Sequence, residues 1–358
     1  MKKILIRVDS SSVIGSGHVI RCLTIAYELR SRNFECVFIC RDLKGNLISY
    51  IKNKQFQVIV IKFQSPKLRE DTIDQYTDAL KTIEYIKKTQ AYLTIVDHYD
   101  LDYIWHKKIK ENNIILAVID DEANKKYFCD LILNVNYLKN IQEKYKNLIS
   151  NKTAKLFGPK YALIRQEFLT KKKEVLHNKK IKNIFIFFGG SDPDNLTLKA
   201  LEALCHKNFE KLILSVVIGE SNPNVNSIKL KVSKRKNASL FIQTDNISDL
   251  MCKSDLSIGA GGSTTWERLF IGLPSIVTII ADNQRSYTEQ LAKDNYIFLT
   301  GDKNETSKYD IQRLLNYCIN NPNLLNEKVK LGQELVNGNG TKLVADKMIS
   351  LIEDKKKL

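Results

Sequence analysis

A chain of 358 residues with 43% hydrophobic content and a formal net charge of +16 at pH 7 is ordinary for a globular protein with two domains. Its sequence contains no unbroken apolar run near the roughly 20 residues that cross a bilayer, which excludes an integral membrane segment. The stretch at residues 1–9 is too short and too charged for a signal peptide, so we expect a cytoplasmic protein.

The cysteines and the distribution of charge argue against a disulfide-rich or zinc-binding protein and against a nucleic-acid-binding protein. The seven cysteines are an odd number, widely scattered and without metal-ligand spacing, so neither a disulfide framework nor a zinc site is expected. The densest lysine cluster, at residues 171–182, carries no aromatic residues on which bases could stack. We interpret it as solvated surface and expect no nucleic-acid partner, although a basic field attracts an anionic nucleotide or membrane face.

The first half of the chain alternates short β-branched runs with amphipathic stretches. This rhythm predicts a parallel sheet with helices on both faces. The predicted strands are 4–8, 36–40, 58–61, 92–96, 114–119 and 131–134. The predicted helices are 19–31, 45–53, 71–89 and 101–112.

A second series with the same rhythm follows the lysine-rich stretch. Its predicted strands are 184–188, 212–218, 239–242, 256–258 and 275–279. Its predicted helices are 196–206, 247–253, 264–271 and 286–294. The amphipathic run 326–353 is expected to pack on a domain and can cross back to the first one.

These series predict an α/β protein of two doubly wound, Rossmann-like domains that face a central cleft. We place the domains at residues 1–165 and 183–335, with a linker at 166–182 and a helix and tail at 336–358. In such sheets ligands bind at the carboxyl ends of the strands. The loops at those ends are therefore the candidate site.

The first such loop contains Gly15-Ser-Gly17-His18. A glycine-rich turn between a strand and a helix leaves backbone N–H groups facing outward for a polar or anionic ligand. The nearby helix dipole disfavours imidazolium, which suits a proton acceptor. We interpret His18 as a general base, against the alternative that it merely packs in the first turn. The loop is not the dinucleotide fingerprint, because Ile20 replaces that motif's third glycine.

Acidic residues follow the next strands. The loop Asp97-His-Tyr-Asp100 follows one predicted strand, and Asp-Asp-Glu at 120–122 follows another. Such carboxylates can orient a sugar's hydroxyls or a catalytic histidine, whereas Asp100 and Asp121 can equally be helix caps. The Asp-x-Asp patterns at Asp100 and Asp192 are too short to indicate a metal-dependent transferase. We expect no metal and no cofactor.

The third loop is Gly189-Gly190-Ser191, after a very apolar strand. It favours a pyrophosphate cradle made of backbone N–H groups and a helix N-terminus, with a simple tight turn as the alternative. Asp192 is expected to cap the helix, with Pro193 at its first position.

The fourth loop contains Gly261, Gly262 and Ser263 and leads into a predicted helix at Thr264. Thr264 and Glu267 have the spacing of a capping box, which would make Glu267 structural. The same carboxylate can accept two hydrogen bonds from a ribose diol, and both roles can hold at once.

One further strand end supplies amide side chains. Asn283 and Gln284 follow the predicted strand that ends at Ile279. Amides suit neutral polar groups of a ligand, because each offers both a donor and an acceptor.

Together these loops resemble the UDP-sugar hydrolases of pseudaminic acid biosynthesis, which act on a UDP-linked diacetamido-trideoxy-altropyranose. The matching segments occur in the same order and are 14–23, 96–99, 158–165, 187–193, 259–268 and 281–284. The resemblance implies the GT-B fold and a relation to the N-acetylglucosaminyltransferase that completes lipid II, with water in place of the acceptor sugar. One departure is Gln166, where the family has proline.

The resemblance also implies residue roles. His18 would take the proton of the attacking water, Tyr99 would contact the sugar and Asn283 would help to hold the substrate. Glu267 would bind the uridine ribose, with two glycine loops near the diphosphate. The predicted set is His18 as the base; Gly15, Gly17, Asp97, Tyr99, Asn283 and Gln284 for the substrate; and Gly189, Gly190, Ser191, Gly261, Gly262, Ser263, Thr264 and Glu267 for the nucleotide.

The chemistry is consistent with one base, because a nucleotide diphosphate is a stable anionic leaving group that needs neither a strong general acid nor a metal. Attack by water from the opposite face predicts inversion. A UDP-sugar-dependent glycosyltransferase and a hydrolase of another nucleotide sugar in a bacterial surface polysaccharide pathway are the alternatives. We expect a monomer whose partner is its UDP-sugar substrate.

Overall fold

The computed structural model describes residues 1–62, 73–171 and 180–357. The chain forms two compact units, Met1–Leu163 with Asn339–Leu358, and Ile164–Gly338. In each unit the described strands form one parallel sheet. This confirms the predicted α/β class with two doubly wound domains. None of the described helices combines the length and the apolar character of a membrane span.

The described sheet of the first unit has the strand order β3-β2-β1-β4-β5-β6-β7. The strands are β1 (Lys2–Val8), β2 (Phe34–Arg41), β3 (Gln57–Ile61), β4 (Leu93–Asp97), β5 (Ile115–Ile119), β6 (Leu131–Asn134) and β7 (Ala154–Phe157). β4 and β5 are buried along their whole length, as expected for parallel strands covered on both faces. The strand order reverses between β1 and β4, so the loops that follow these two strands lie side by side.

The helices between these strands are α1 (Gly17–Ser31), α2 (Ile48–Asn53), α3 (Gln75–Thr89), α4 (Tyr103–Lys110) and α5 (Ile141–Tyr145). Asp74 sets the start of α3, because its side chain accepts from the amides of Tyr76 and Thr77. The predicted start of this helix, Asp71, lies outside the described residues. The structure adds α5 and β7, which are too short to show a clear hydrophobic period.

The described sheet of the second unit has the order β10-β9-β8-β11-β12-β13. The strands are β8 (Asn183–Phe187), β9 (Ile213–Ile218), β10 (Ala238–Ile242), β11 (Leu256–Ala260), β12 (Ser275–Ile279) and β13 (Phe298–Asp302). The helices are α6 (Gln166–Leu169), α7 (Leu196–Ala203), α8 (Val225–Ser233), α9 (Ile247–Lys253), α10 (Thr264–Ile271), α11 (Asp282–Lys293), α12 (Lys308–Asn320) and α13 (Pro322–Leu335). The order reverses between β8 and β11, which brings the glycine loops after these strands to one edge.

The second unit departs from the sequence prediction in several elements. α8, β13 and α12 were not predicted, because polar residues interrupt their apolar pattern. α11 begins at Asp282 rather than at Ser286. The range 166–182, predicted as a linker, begins with α6, and its residues 172–179 lie outside the described part of the chain.

The amphipathic run predicted over 326–353 is two helices rather than one. α13 ends at Leu335 and the last helix, α14, spans Gly340–Lys356. Gly338 separates them with a φ of +85°, a conformation that favours glycine. α14 belongs to the first unit, so residues 339–358 are part of that unit and not a separate tail.

α14 braces α1. Arg32, which follows the end of α1, donates to Asp346 of α14. Gly340 packs so closely on Ala162 that a Cβ atom there would lie 2.3 Å from the Ala162 carbonyl oxygen. The end of the chain therefore supports the helix that carries His18.

His106 on α4 is an unusual core residue. Its side chain is completely buried, and its ring stacks on Tyr127 with centroids 6.0 Å apart. Within the described residues, neither ring nitrogen has a hydrogen-bond partner. Burial lowers the pKa of His106 to about 3, so the ring is neutral in the folded protein at neutral pH.

The variant His106→Leu tests this burial. Between pH 8 and pH 5 the wild-type protein is expected to lose about 2 kcal/mol of unfolding free energy relative to the variant, because only its unfolded state takes up a proton at this position. The loss begins below pH 6.5, the ordinary pKa of histidine, and continues towards pH 3. Urea unfolding at several pH values measures it. His206→Leu, at an exposed histidine, is the control, and an equal loss at both positions would contradict the interpretation.

Candidate active site

The loop after β1 is a compact turn that places His18 in the first turn of α1. Gly15 has a φ of +82°, and its amide donates to the Ser11 carbonyl oxygen at 2.9 Å. Ser16 is the N-cap residue, and within the described residues no side chain caps the helix there. No side-chain acceptor therefore competes for the first amides of α1.

Asp97, at the end of β4, holds the His18 ring. Its Oδ1 lies 2.6 Å from Nδ1 of His18. Burial opposes ionisation of Asp97, but the charges and hydrogen bonds of Arg21 and His18 outweigh it and hold the pKa of this carboxyl well below its usual range. Because a carboxylate only accepts hydrogen bonds, Nδ1 of His18 carries the proton and donates it. The lone pair of Nε2 is then the one that can accept a proton.

Arg21 lies one turn after His18 on α1 and joins two carboxylates. Its Nε and Nη2 donate to Oδ2 and Oδ1 of Asp97, each at 2.6 Å, which is a bidentate pair. Its Nη1 donates to Oδ2 of Asp121 at 2.6 Å. The Nη2 atom also lies 3.2 Å from Nδ1 of His18. Burial opposes the charge of Arg21, but Asp121 and Asp97 outweigh it and raise its pKa.

Tyr99 is tied to the same network through Asp121. Its hydroxyl donates to Oδ2 of Asp121 at 2.6 Å. Its ring meets the His18 ring edge-on, with centroids 4.6 Å apart. Burial and the charge of Asp121 raise the pKa of the Tyr99 hydroxyl well above its usual range, so it stays protonated. A hydrogen-bonded network therefore runs from Tyr99 to His18.

The acidic loop residues divide between structural and site positions. Asp102 caps α4 and accepts from the Ile104 amide at 2.9 Å. Asp100 is mostly exposed, and neither it nor Asp121 is the cap of a described helix, so the helix-cap interpretation is wrong for both. In the described ranges no group of His, Cys, Asp and Glu side chains is arranged to hold a metal ion.

A buried charge cluster supports the end of β1. Arg7 donates to both Asp9 and Asp78, and all three side chains are completely buried. Asp9 also accepts from Arg41, and its Oδ2 lies 3.2 Å from Nε2 of His98. Burial alone would raise the pKa of Asp9, but Arg7 and His98 hold it well below its usual range. Since buried charges persist when they are paired, the cluster fixes the strand end where the first loop departs.

The loop after β8 contains a helix cap. Asp192 accepts from the amides of Leu196 and Thr197, at 3.0 and 2.8 Å, so it does satisfy the start of α7, but the N-cap residue is Asn195 and not Asp192 as predicted. The prediction that Pro193 is the first helical residue is wrong, because α7 begins at Leu196. These two amides are occupied and cannot serve a diphosphate. The predicted cradle at 189–191 therefore depends on the glycine turn itself, where Gly189 has a φ of +99°.

The loop after β11 leads into α10, whose N-cap residue Ser263 makes no side-chain cap bond within the described structure. The predicted capping box of Thr264 and Glu267 is wrong. Both carboxylate oxygens of Glu267 instead accept from Arg165, at 2.6 and 2.9 Å. α10 thus begins without a side-chain cap, its Thr265 and Trp266 amides donate to the Gly262 and Ser263 carbonyl oxygens, and a carboxylate held by Arg165 lies one turn into the helix.

The same loop packs against α11. A Cβ atom at Gly261 would lie 2.7 Å from the Thr288 hydroxyl, so this position requires glycine. Gln284, at the third position of α11, lies beside Gly262. Asn283 precedes it in the first turn of the helix. The structure therefore brings the fourth glycine loop and the predicted amides together.

The predicted site residues form one group in each unit. In the first unit the structure groups Gly15, Gly17, His18, Asp97 and Tyr99. In the second unit lie Gly189, Gly190, Ser191, Gly261, Gly262, Ser263, Thr264, Glu267, Asn283 and Gln284. Both oxygens of Asp97 accept from protein groups, and its side chain is completely buried.

Sequence reasoning missed the two arginines that hold the site carboxylates. Arg21 carried a usable signal, since a spacing of three residues places it on the same helix face as His18. No sequence signal pointed to the pairing of Arg165 with Glu267, because the two residues are 102 positions apart and only the fold brings them together.

Comparisons with known proteins identify the family and the fold of the chain. Residues 183–340 match the glycosyltransferase family 28 C-terminal domain. Over 295 residues the chain is 32% identical to the UDP-2,4-diacetamido-2,4,6-trideoxy-β-L-altropyranose hydrolase of Campylobacter jejuni. This match covers 82% of the chain and 97% of the hydrolase. The chain belongs to the family of this hydrolase.

Two further matches concern the length of a related protein and the fold of the chain. The chain is 32% identical over 300 residues to an uncharacterized protein of Methanocaldococcus jannaschii, and the match covers 81% of this chain but only 58% of that longer protein. The crystal structure of MurG from Acinetobacter baumannii matches with a TM-score of 0.69 at 14% identity, over 99% of this chain and 100% of that one. The fold is therefore of the GT-B type, as the resemblance implied.

The variant Asp192→Ala tests the α7 cap. Loss of the two hydrogen bonds is expected to lower the free energy of unfolding by about 1 kcal/mol. Urea unfolding at neutral pH measures the change. Asp194→Ala is the matched control, because Asp194 pairs with Lys303 at the surface and its loss is expected to cost less than about 0.5 kcal/mol. Equal losses would show that Asp192 does not act as a cap.

Proposed function

We propose that this chain hydrolyses a UDP-linked sugar at its anomeric C–O bond and releases UDP and the free sugar. The proposed substrate is UDP-2,4-diacetamido-2,4,6-trideoxy-β-L-altropyranose, which the Campylobacter relative is named for, and the free sugar would enter pseudaminic acid biosynthesis. The observation that carries the proposal is the His18–Asp97 pair, with 2.6 Å between Nδ1 and Oδ1, at the end of the β1 loop.

His18 is the proposed base. Asp97 fixes the ring so that Nε2 takes a proton from water while the water oxygen attacks the anomeric carbon. The same carboxylate stabilises the imidazolium that forms, as in other histidine–aspartate pairs. Cys22 also lies near Asp97, with Sγ at 3.6 Å, but burial raises its pKa well above the usual range and makes it a poor nucleophile.

The leaving group needs no proton. As the bond between the anomeric carbon and the β-phosphate oxygen breaks, its electron pair passes to UDP, which is stable as an anion. Ordinary glycosidases differ, since their leaving group requires a second carboxyl group as an acid. In the second unit, the glycine loop before α10 and the positive end of this helix, which has no side-chain cap, would stabilise this developing charge.

The remaining roles follow from polar groups near these elements. Glu267, held by Arg165, would accept hydrogen bonds from the ribose diol. In the first unit the Tyr99 ring, which lies against His18, would contact the sugar. Asn283 and Gln284 offer amides to neutral ligand groups. The reaction would be metal-independent and would invert the anomeric configuration.

Release of UDP tests the reaction and the base together. In chelator-treated buffer the wild-type protein is expected to convert the proposed substrate to UDP and free sugar, while His18→Ala lowers kcat roughly 10²- to 10⁴-fold. Arg313→Gln, at a mostly exposed arginine of α12, is the variant control, and UDP-N-acetylglucosamine is the substrate control.

Two outcomes would contradict this mechanism. Full activity of His18→Ala would remove His18 as the base. Proton NMR of the first-formed sugar must show inverted configuration, so retention would exclude direct attack by water. Dependence of release on an added acceptor sugar would instead indicate a glycosyltransferase.

UDP binding tests the role of Glu267. Calorimetry is expected to show weaker UDP binding to Glu267→Gln, by about tenfold, because a charged acceptor of the ribose diol is lost. With 2′-deoxy-UDP, which lacks one of the two hydroxyls, the variant and the wild type are expected to differ less. Glu167→Gln is the matched control, since Glu167 pairs with the same arginine at 2.9 Å. An equal effect in both variants would point to Arg165, rather than a ribose contact, as the cause.

A further inference from the structure

We infer that Arg21 is a positioning residue that sets how readily His18 takes up a proton, through the carboxylates of Asp97 and Asp121. The inference rests on the proposed role of His18 as the base. It follows from three contacts that place one guanidinium between both carboxylates and the histidine ring.

The charged groups around the ring are defined by the structure. Arg21 faces His18 from α1, and Asp97 faces it from the end of β4. Tyr99 approaches from the loop after β4 and is uncharged, and Asp121 reaches the ring only through Arg21 and Tyr99. Two carboxylates and one guanidinium therefore leave one net negative charge beside His18.

This balance suits a base that must gain and release a proton. Without Arg21, two uncompensated carboxylates would favour imidazolium, and the ring would already be protonated when substrate arrives. Without the charge of Asp121, Arg21 would neutralise Asp97 alone, and proton uptake by the ring would be weaker. Changes at Arg21 and Asp121 are therefore expected to act in opposite directions.

The contacts also give Arg21 a geometric role. Its Nε and Nη2 fix both oxygens of Asp97, and Asp97 fixes the His18 ring. Its Nη1 fixes Asp121, which receives the Tyr99 hydroxyl. A lysine at position 21 would keep the positive charge but would not make the two parallel hydrogen bonds to Asp97, because an ammonium lacks the planar arrangement of donors.

The test measures proton uptake by His18 in the full chain without substrate. The protein has five histidines, so the ring signals of a ¹⁵N-labelled sample can be followed by NMR through a pH titration, with His18→Asn identifying the His18 signal. Arg21→Gln is expected to raise the titration midpoint by about one pH unit or more, and Asp121→Asn is expected to lower it. Arg313→Gln, at a mostly exposed arginine of α12, is expected to leave it unchanged.

Kinetics give a second readout. The acid limb of the kcat/KM profile is expected to move to higher pH in Arg21→Gln and to lower pH in Asp121→Asn. Arg21→Lys is expected to keep the limb near that of the wild type while kcat falls. A purely structural Arg21 would lower activity at every pH and leave the limb in place.

Coincident midpoints in the wild type, Arg21→Gln and Asp121→Asn would overturn the inference. If Arg21→Gln does not fold, Asp121→Asn and Arg21→Lys carry the test, and an unchanged midpoint in Asp121→Asn is then the contradicting result. Shifted midpoints in a protein that does not release UDP would leave the coupling standing and refute the proposed function instead.

Discussion

The buried carboxylate of Asp97 determines how the first unit arranges its candidate site. A carboxylate in this position is destabilising unless opposite charge and hydrogen bonds compensate for lost water. Arg21 provides both through its bidentate pair. Since Arg21 belongs to α1, this pairing fixes the rotation of α1 against β4, and the rotation in turn places His18, three residues earlier, on the same face. The side-chain pair and the helix position therefore depend on each other.

In the second unit an arginine also holds both oxygens of a carboxylate, but this carboxylate has a different proposed role. Arg165 holds both oxygens of Glu267, as Arg21 holds both oxygens of Asp97. No histidine touches Glu267 in the described contacts, and the remaining predicted groups of this unit are amides, hydroxyls and glycine backbone. This composition suits binding of a nucleotide whose departure needs charge stabilisation but no proton. The proton chemistry of the proposed reaction is thus confined to the first unit.

The sequence was sufficient to predict features that depend on local patterns. Apolar runs bounded by glycine or polar residues predicted most strands, and the glycine turns located His18 and Glu267. α5 and β7 were missed because short elements have too few residues to show a period. The contact of Arg165 with Glu267 was missed because it depends on tertiary packing.

Predicted caps failed for a related reason. Spacing suggested a capping box at Thr264, but a paired arginine competes more strongly for the Glu267 carboxylate than a backbone amide does. At Asp192 the sequence pointed to the side chain that bonds the first amides of α7, but the N-cap position and the helix start were wrong, because the chain makes a further turn before α7 begins. Local sequence identifies a polar side chain that needs a partner, while the fold selects the partner.

Among the described residues of the first unit an arginine lies between two aspartates at Arg7 and again at Arg21, and the two clusters differ in their exposure. Around Arg7 all three side chains are completely buried, and the aspartate network ends in further protein groups. Around Arg21 the arginine and Asp121 keep about a tenth of their side-chain surface exposed, and His18 adjoins the cluster. The first arrangement suits a purely structural role, because it is closed to solvent. The second suits the proposed role of His18 as a base, because its charges are paired while the arginine, Asp121 and His18 stay partly exposed.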